Sequence, residues 1–390
     1  MIVLNQIFEI TRLNLHNVPS RLGSSSVIVV GIAGVVAVLV GLLAMASGFA
    51  AALQNTSDPQ RAIVLRDGSN GELSSSVSSE EFNIVSQLDG VSIASAELYV
   101  IADVPKIDTG SPANLVVRGV PQAAFQVRPE VEILPGGRRF QPGRSELIAG
   151  IKAHAEFAGL EVGNTLEFRG SEWNVVGLFE AGGGVHESEV WADFAIAQAA
   201  FRRGGQISSA RLILEDANRA EALHEQIQED PRLDLGLRSE EDFYAAQSEA
   251  RTELIETFGF SVAVIMAIGA VFAALNTMYS AVSSRTVEIA TLRALGFSGL
   301  PVVVSVMIEA LVLAILGGIA GGALVYVVLD GYTASTLNNS SFSQVAFDFA
   351  VTPQLLQLGI SWALLLGLIG GLFPAVRAAR LPITTALRGE

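Results

Sequence analysis

Four stretches of this sequence are almost free of charge, and a long mixed segment separates the first of them from the other three. No Asp, Glu, Lys or Arg occurs at 22–57, 257–284 or 349–376, and Glu309 is the single charge at 294–329. Each run meets or exceeds the roughly 20 apolar residues that a helix needs to cross a bilayer. The pattern therefore predicts membrane-spanning helices over about 27–51, 258–283, 301–329 and 355–375. Ahead of the first span, apolar positions at Ile2, Leu4, Ile7, Phe8, Ile10, Leu13 and Leu15 alternate with Asn5, Gln6, Glu9 and Arg12. That spacing predicts an amphipathic helix lying along a membrane surface and entering the first span after Pro19.

The segment between the first and second spans has a different rhythm. The runs at 61–66, 92–104, 115–120 and 210–214 are strand-like, and alternation predicts strands at 146–151, 165–168 and 172–179, with turns at Gly159, Gly163 and Gly170. Ser78-Ser79-Glu80-Glu81 opens a short helix, with a serine cap and early acids at its positive end. Helices are also expected at 217–229 and at 239–257, the latter running straight into the second span. The fold class that follows is a membrane α-helical protein of four transmembrane helices with an inserted α+β extracytoplasmic domain. Its parts are an amphipathic helix at 1–22, transmembrane helix 1 at 23–53, the external domain at 54–256, and helices 2–4 at 257–390.

The connector at 284–297 breaks the pattern of a solvated loop. As a helix it sets Ile289, Leu292 and Leu295 on one side and Val287, Ala290 and Ala294 on another, with Arg285, Glu288 and Arg293 between. Two apolar stripes in so short a charged segment suit a helix held between the membrane-proximal protein and a docked partner.

Charge then orients the chain. The whole sequence carries 39 acidic residues against 24 Lys plus Arg, and nearly all the excess lies in the external segment, an acidic balance unlike a nucleic-acid-binding face. Arg12 and Arg21, then Arg285 and Arg293, then Arg377, Arg380 and Arg388 mark the short segments, whereas the loop at 330–353 has Asp330 and Asp348 and no basic residue. The positive-inside bias puts both termini and the 284–297 connector in the cytoplasm and the acidic domain outside. Ala44-Met45-Ala46 imitates a signal-peptidase site, but the long leader and long apolar run predict an uncleaved anchor. The absence of cysteine means that no disulfide supports the domain.

Little catalytic chemistry is present. A P-loop needs glycine directly before lysine, and the two lysines follow Pro105 and Ile151. His16, His154, His186 and His224 form no ligand pair at helical spacing, so no metal site is expected. His186, near Glu187 and Glu189, is a weak ligand set, and Gly182-Gly183-Gly184 before it reads as a flexible loop. No serine sits in a Gly-x-Ser-x-Gly elbow. Glu309, about 12 Å into the third span at 1.5 Å per residue, is expected to form a structural salt bridge with a cytoplasmic arginine, with proton or substrate handling as the other role. Gly317, Gly318, Gly321 and Gly322 make two overlapping small-residue pairs for close helix contact, and Gly367 with Gly371 a third.

The layout of one span, a large external domain and three further spans resembles the FtsX-like permeases of the MacB-type (type VII) ABC transporter superfamily. The motifs that carry the resemblance are the segment from Ser284 to Phe297, Glu309-Ala310 followed by Gly317, Gly318 and Gly321, and the ending from Phe373 to Arg388. In the external domain, the stretches at 139–143, 146–150, 159–166 and 175–177 are similar to the family's periplasmic core. The resemblance implies a non-catalytic permease subunit in the bacterial inner membrane, homodimeric, paired with a separate ABC ATPase subunit that holds ATP and Mg. Arg285, Glu288, Arg293 and Gly296 would form or shape the ATPase contact. The periplasmic domain would divide into porter-like and sabre-like parts and would expel a periplasmic substrate, through a periplasmic adaptor and an outer-membrane duct where these exist. The alternative is a mechanotransmitting regulator that activates a periplasmic partner, such as a cell-wall hydrolase, without moving cargo.

Overall fold

The computed structural model describes residues 2–17, 22–338, 343–380 and 382. Arg21, Arg388 and the last part of the C-terminal motif lie outside the described residues. The chain forms two compact units: Met1–Ser47, Glu253–Tyr332 and Phe349–Glu390 make one, and Gly48–Thr252 with Thr333–Asp348 the other.

The first unit is helical. After the helix Ile2–Asn17 come four helices long and apolar enough to cross a membrane: Ser25–Gln54, Glu240–Ser284, Gly299–Leu329 and Pro353–Arg380. A nine-residue helix, Thr286–Ala294, joins the second of these to the third. With no water in hydrocarbon to satisfy backbone amides, continuous helices are the form such apolar runs take. The second helix is 45 residues long and continues without a break from the polar unit into the apolar one.

Glycine sets the packing of the third spanning helix on two sides. A Cβ at Gly321 would lie 2.5 Å from the Ala33 carbonyl oxygen, and Gly317 faces Val29 and Ile32 of the same first helix. One residue further round, Gly318 faces Ile360 and Ala363, and Gly322 faces Leu356, all on the fourth helix. Gly367 and Gly371 answer from that fourth helix against Ala314 and Ala310. The overlapping pairs are thus two separate stripes, each admitting one neighbouring backbone.

The polar unit is built on a ten-stranded sheet. Its long strand Val91–Pro105 pairs with Ser209–Leu214 over its first half and with Pro112–Val120 over its second, and so carries the sheet from one lobe into the other. In the first lobe, Arg61–Arg66 lies between Ser209–Leu214 and Leu235–Ser239, and helices Ser79–Val85 and Ala220–Glu229 supply Val85, Leu223 and Ile227 to its core. In the second lobe the central strands Glu146–Gly150 and Glu189–Asp193 are buried on both faces. Leu147, Ala149, Val190 and Ala192 point into a core around Trp173, while Ile148 and Trp191 point into another with Phe125, Phe140 and Phe179. Near-continuous apolar runs with both faces covered follow from that arrangement.

The expected strands and helices occur with small shifts at their ends. Ser78 and Glu81 complete a capping box, each side chain accepting from the other's backbone amide. The loop at 330–353, expected only as a connector, holds an antiparallel hairpin, Thr333–Asn338 with Ser343–Asp348, which belongs to the polar unit. Phe347 is fully buried with its ring 5.5 Å from that of Phe49, and Asp348 pairs with Lys152 at 3.3 Å. The glycine loop is also folded: the Glu187 carboxylate accepts from the amides of Ala181 and Gly183, and Gly184 packs on Thr56. A buried anion closes the turn that glycine alone would leave loose.

Candidate functional site

The connector helix Thr286–Ala294 presents two unlike faces. Its inner face holds Ile289 and Ala290, both buried, with Leu292 partly buried. Its outer face carries Val287, 54% exposed, and Leu295, 73% exposed, with Leu300 beyond at 60%. This division differs from the two stripes expected. Leu295 caps the helix, and the chain turns there instead of extending the Ile289–Leu292 line. The turn is a Schellman motif: the Gly296 amide donates to the Arg293 carbonyl and the Phe297 amide to the Leu292 carbonyl, with Gly296 at φ 95°. Only glycine enters that left-handed region without steric cost, which accounts for Gly296.

Arg285 turns inward. It stands at the N-cap of the connector helix and is buried, and its guanidinium donates to Glu288 at 3.1 Å, to Glu309 at 3.5 Å and to the Asn14 side-chain oxygen. Asn14, buried on the N-terminal helix, also donates to Ser305 of the third spanning helix. One cation thereby joins the N-terminal helix, the connector and the third span, and Glu309 is a partner of that cation. Glu288 is half exposed, and Arg293 is partly buried. Arg285, Glu288 and Glu309 come together, whereas Arg293 and Gly296 lie at the far end of the connector.

A second assembly, in the polar unit, went unread in the sequence. Four buried arginines, Arg61, Arg118, Arg128 and Arg211, interleave with four buried glutamates, Glu72, Glu97, Glu189 and Glu240. Arg118 reaches Glu72 at 2.8 Å, Glu97 at 2.9 Å and Glu189 at 2.7 Å. Arg128 holds Glu97 at 2.6 Å, and Arg211 bridges Glu72 at 3.0 Å to Glu240 at 2.5 Å. Arg61 closes the chain on Glu240 at 3.0 Å and on Glu130 at 2.6 Å. The members come from both lobes and from the first residue of the 45-residue helix. Tyr244, one turn along that helix, is buried beside Arg211.

Electrostatics follow the geometry. Burial pushes the Glu72 carboxyl up, but Arg118 and Arg211 outweigh it and hold the group well below the usual carboxylate range. Glu97 is lowered against the same burial by Arg128 and Arg118, and Glu189 by Arg118 and His186. Burial lowers His186, with Arg128 and Arg118 adding to it against the pull of Glu189. Burial raises the Tyr244 hydroxyl to about 12. A cavity of about 40 Å³ touches Arg118, Glu72 and Tyr244, room for water but well under the roughly 300 Å³ of a small-molecule site. The network's signal in the sequence was a set of lone charges at the ends of apolar strand runs: Arg61 before Ala-Ile-Val-Leu, Glu97 before Leu-Tyr-Val, Arg211 before Leu-Ile-Leu.

Two family models match the chain. One, described as FtsX-like permease C-terminal, matches residues 260–383, and the other, MacB-like periplasmic core domain, matches residues 25–230. Among curated proteins, the macrolide export ATP-binding/permease protein MacB of Hyphomonas neptunium is 28% identical over 239 residues, 59% of this chain and 35% of that protein. An uncharacterized ABC transporter permease of Methanocaldococcus jannaschii is 22% identical over 239 residues, 59% of this chain and 58% of the relative. The chain thus spans about a third and rather more than half of the lengths of these relatives. Of solved structures, the periplasmic region of MacB from Actinobacillus actinomycetemcomitans matches half of this chain and 96% of its own at 12% identity, with a TM-score of 0.37. The extracellular domain of the transporter YknZ from Gram-positive bacteria matches 42% of this chain and 88% of its own at 17% identity, with a TM-score of 0.34. With four helices able to span a membrane and one family model covering more than half of its residues, the chain is a membrane protein that belongs to the FtsX-like permeases of the ABC transporters carrying a MacB-like periplasmic core domain.

Proposed function

We propose that this chain is the permease subunit of an ABC system, in which a separate ATPase docks on the outer face of the Thr286–Ala294 helix and drives motion of the periplasmic domain. The observation that carries the reading is the two-faced connector. Arg285 fixes its inner side to Asn14 and Glu309, while Val287, Leu295 and Leu300 stand exposed on the other. A short helix anchored at one side and apolar at the other transmits a push from a docked partner without sliding on its own support. The exposed stripe, more than Arg285 itself, is the surface for the partner; Arg285 seats the helix.

In this reading both termini and the connector lie in the cytoplasm, the membrane is the bacterial inner membrane, and a second copy of the permease completes the pair of ATPase sites. ATP and Mg are held by the partner. The 45-residue helix, clamped at Glu240 by Arg211 and Arg61, relays the stroke to the sheet, and the domain extrudes a periplasmic substrate.

The test is co-purification of the ATPase with a Val287→Glu, Leu295→Glu double variant. Two buried carboxylates in an apolar contact cost several kcal/mol together, so association should fall by roughly a hundredfold or more. Unchanged association would remove the connector from the contact.

A further inference from the structure

Among the described residues, the left-handed region of backbone space holds thirteen glycines and two other residues, Arg169 at φ 53° and Arg202 at φ 55°. Each arginine occupies a place whose backbone calls for glycine or asparagine. Arg169 and Gly170 are the central pair of the hairpin turn between Phe168 and Ser171, and both have positive φ. That is the type I′ geometry for which Asn-Gly is the favoured sequence. Arg202 follows the cap of helix Phe194–Ala200, its amide donating to the Ala199 carbonyl and the Arg203 amide to the Gln198 carbonyl. This is the Schellman pattern that ends the connector helix, and there the left-handed place is filled by Gly296. An arginine in that region loses stability that glycine would keep. Strain of this kind, when retained, points to a use for the side chain.

Both arginines line one cleft. It measures about 500 Å³ and is bordered by Arg169, Arg202 and Arg203 with Leu73, Ile101 and Phe201. The Arg169 guanidinium lies 5.8 Å from the Phe201 ring centre, and Arg203 donates to the Gln206 side-chain oxygen at 3.4 Å. Among the described residues none of the three forms an ion pair, whereas Arg66, Arg138, Arg219 and Arg232 of the same unit each hold a carboxylate. The end of a helix favours a cation nearby, which accounts for positive charge at 202 and 203. It does not account for arginine in the left-handed place, nor for a second such arginine from another element on the same cleft.

We propose that this cleft binds an amphipathic organic anion. Arg169, Arg202 and Arg203 hold its carboxylate, sulfonate or phosphate through charge-assisted hydrogen bonds, and Phe201, Ile101 and Leu73 receive its apolar body. The volume falls in the range of small-molecule sites, and three guanidinium groups clear of carboxylates in an acidic domain select an anion. The proposal stands apart from ATPase coupling, and neither needs the other.

The experiment is calorimetric titration of 2-naphthalenesulfonate into the full chain in lipid nanodiscs, with empty nanodiscs subtracted. It is repeated with the Arg169→Gly, Arg202→Gly double variant and with neutral 2-naphthalenesulfonamide. Both glycines relax the backbone, so the variant should melt at or above the wild-type temperature, which separates loss of ligand from loss of fold. The expected result is saturable one-to-one binding, weakened roughly tenfold or more by the double substitution and by the neutral analogue. Absence of saturable binding to the wild type, equal affinity in the variant, equal affinity for the sulfonamide, or a variant that melts lower would each overturn the proposal.

Discussion

Replacing Glu240 by Gln tests the buried charge network at the residue where the long helix meets the sheet. Glu240 has no exposed surface and lies 2.5 Å from Arg211 and 3.0 Å from Arg61. At charge separations near 4 Å and an effective dielectric of about 20, each pair contributes about 4 kcal/mol of attraction. Removing the carboxylate forfeits both terms, but it also relieves the cost, several kcal/mol, of keeping that carboxylate out of water. The two cations remain buried, and each keeps one other carboxylate, Glu72 for Arg211 and Glu130 for Arg61. The net loss is about 3–5 kcal/mol, the usual range for breaking a buried ion pair from one side. Urea unfolding of the full chain in nanodiscs, followed by tryptophan fluorescence in a Trp362→Phe background, reads this unit through Trp173 and the network-bonded Trp191. With a slope of about 2 kcal/mol per molar urea, the midpoint should fall by about 1.5–2.5 M. The neighbouring Glu241 is exposed, and Glu241→Gln should shift the midpoint by less than about 0.3 M. A Glu240→Gln midpoint no lower than that of the control would refute the reasoning.

Acid should destabilise the polar unit in two steps. His186 is held below its ordinary value of 6.5 in the fold, so its contribution is full above pH 6.5 and is lost as the unfolded chain takes up a proton below it. Glu72, Glu97 and Glu189 are lowered from 4.5, so theirs is full above about pH 4.5 and drains as pH falls through the native values. Melting temperature against pH should show both steps, and His186→Gln should abolish the upper one alone; a curve flat from pH 7 to 5 in the wild type contradicts the first. In the apolar unit, Gly321→Ala would set a methyl group 2.5 Å from the Ala33 carbonyl oxygen, against backbone that cannot yield cheaply. It should cost about 1–3 kcal/mol and lower the melting temperature in nanodiscs, whereas Gly269→Ala, with nothing within 4 Å, should not. Equal melting of the two variants would mean that the stripe is not a close contact.

The membrane architecture was legible because its signal is one-dimensional. A run of twenty uncharged residues has few folds open to it, and the spans at 27–51 and 301–329 fall inside the helices Ser25–Gln54 and Gly299–Leu329. Strands such as Arg61–Arg66 were readable for a related reason, since the short apolar run from Ala62 to Leu65 is closed by a charge at each end. Arg285 shows the limit. The resemblance implies that it forms or shapes the ATPase contact, and Glu309 was expected to pair with a cytoplasmic arginine, but the choice of Arg285 and its burial against Glu309 and Asn14 depend on residues 24 and 271 positions away in the chain. The network failed to register for the same reason: Arg118 pairs with Glu72, Glu97 and Glu189 across separations of 46, 21 and 71 residues. Sequence periodicity reports which face of an element is apolar. It does not report which lone charges on those faces meet.

Several buried polar groups of the polar unit lie where the chain enters it. At the end of the first spanning helix, Thr56 donates to the Ala52 carbonyl and accepts from the Val185 amide, and Arg61 follows five residues later. At the start of the second, Glu240 is gripped by two arginines, with Phe243 and Tyr244 buried behind it. The hairpin between the third and fourth helices is fixed by Phe347 against Phe49, by Asp348 against Lys152, and by Ala346, whose amide donates to Ser188 at 2.9 Å. A hydrophobic core alone would stabilise the domain at less electrostatic cost, since buried ion pairs seldom outperform apolar packing. What they add is direction: a pair broken by a small displacement resists that displacement steeply, whereas apolar surfaces slide. Ion pairs, hydrogen bonds and ring packing thus fix all three entry segments into the polar unit.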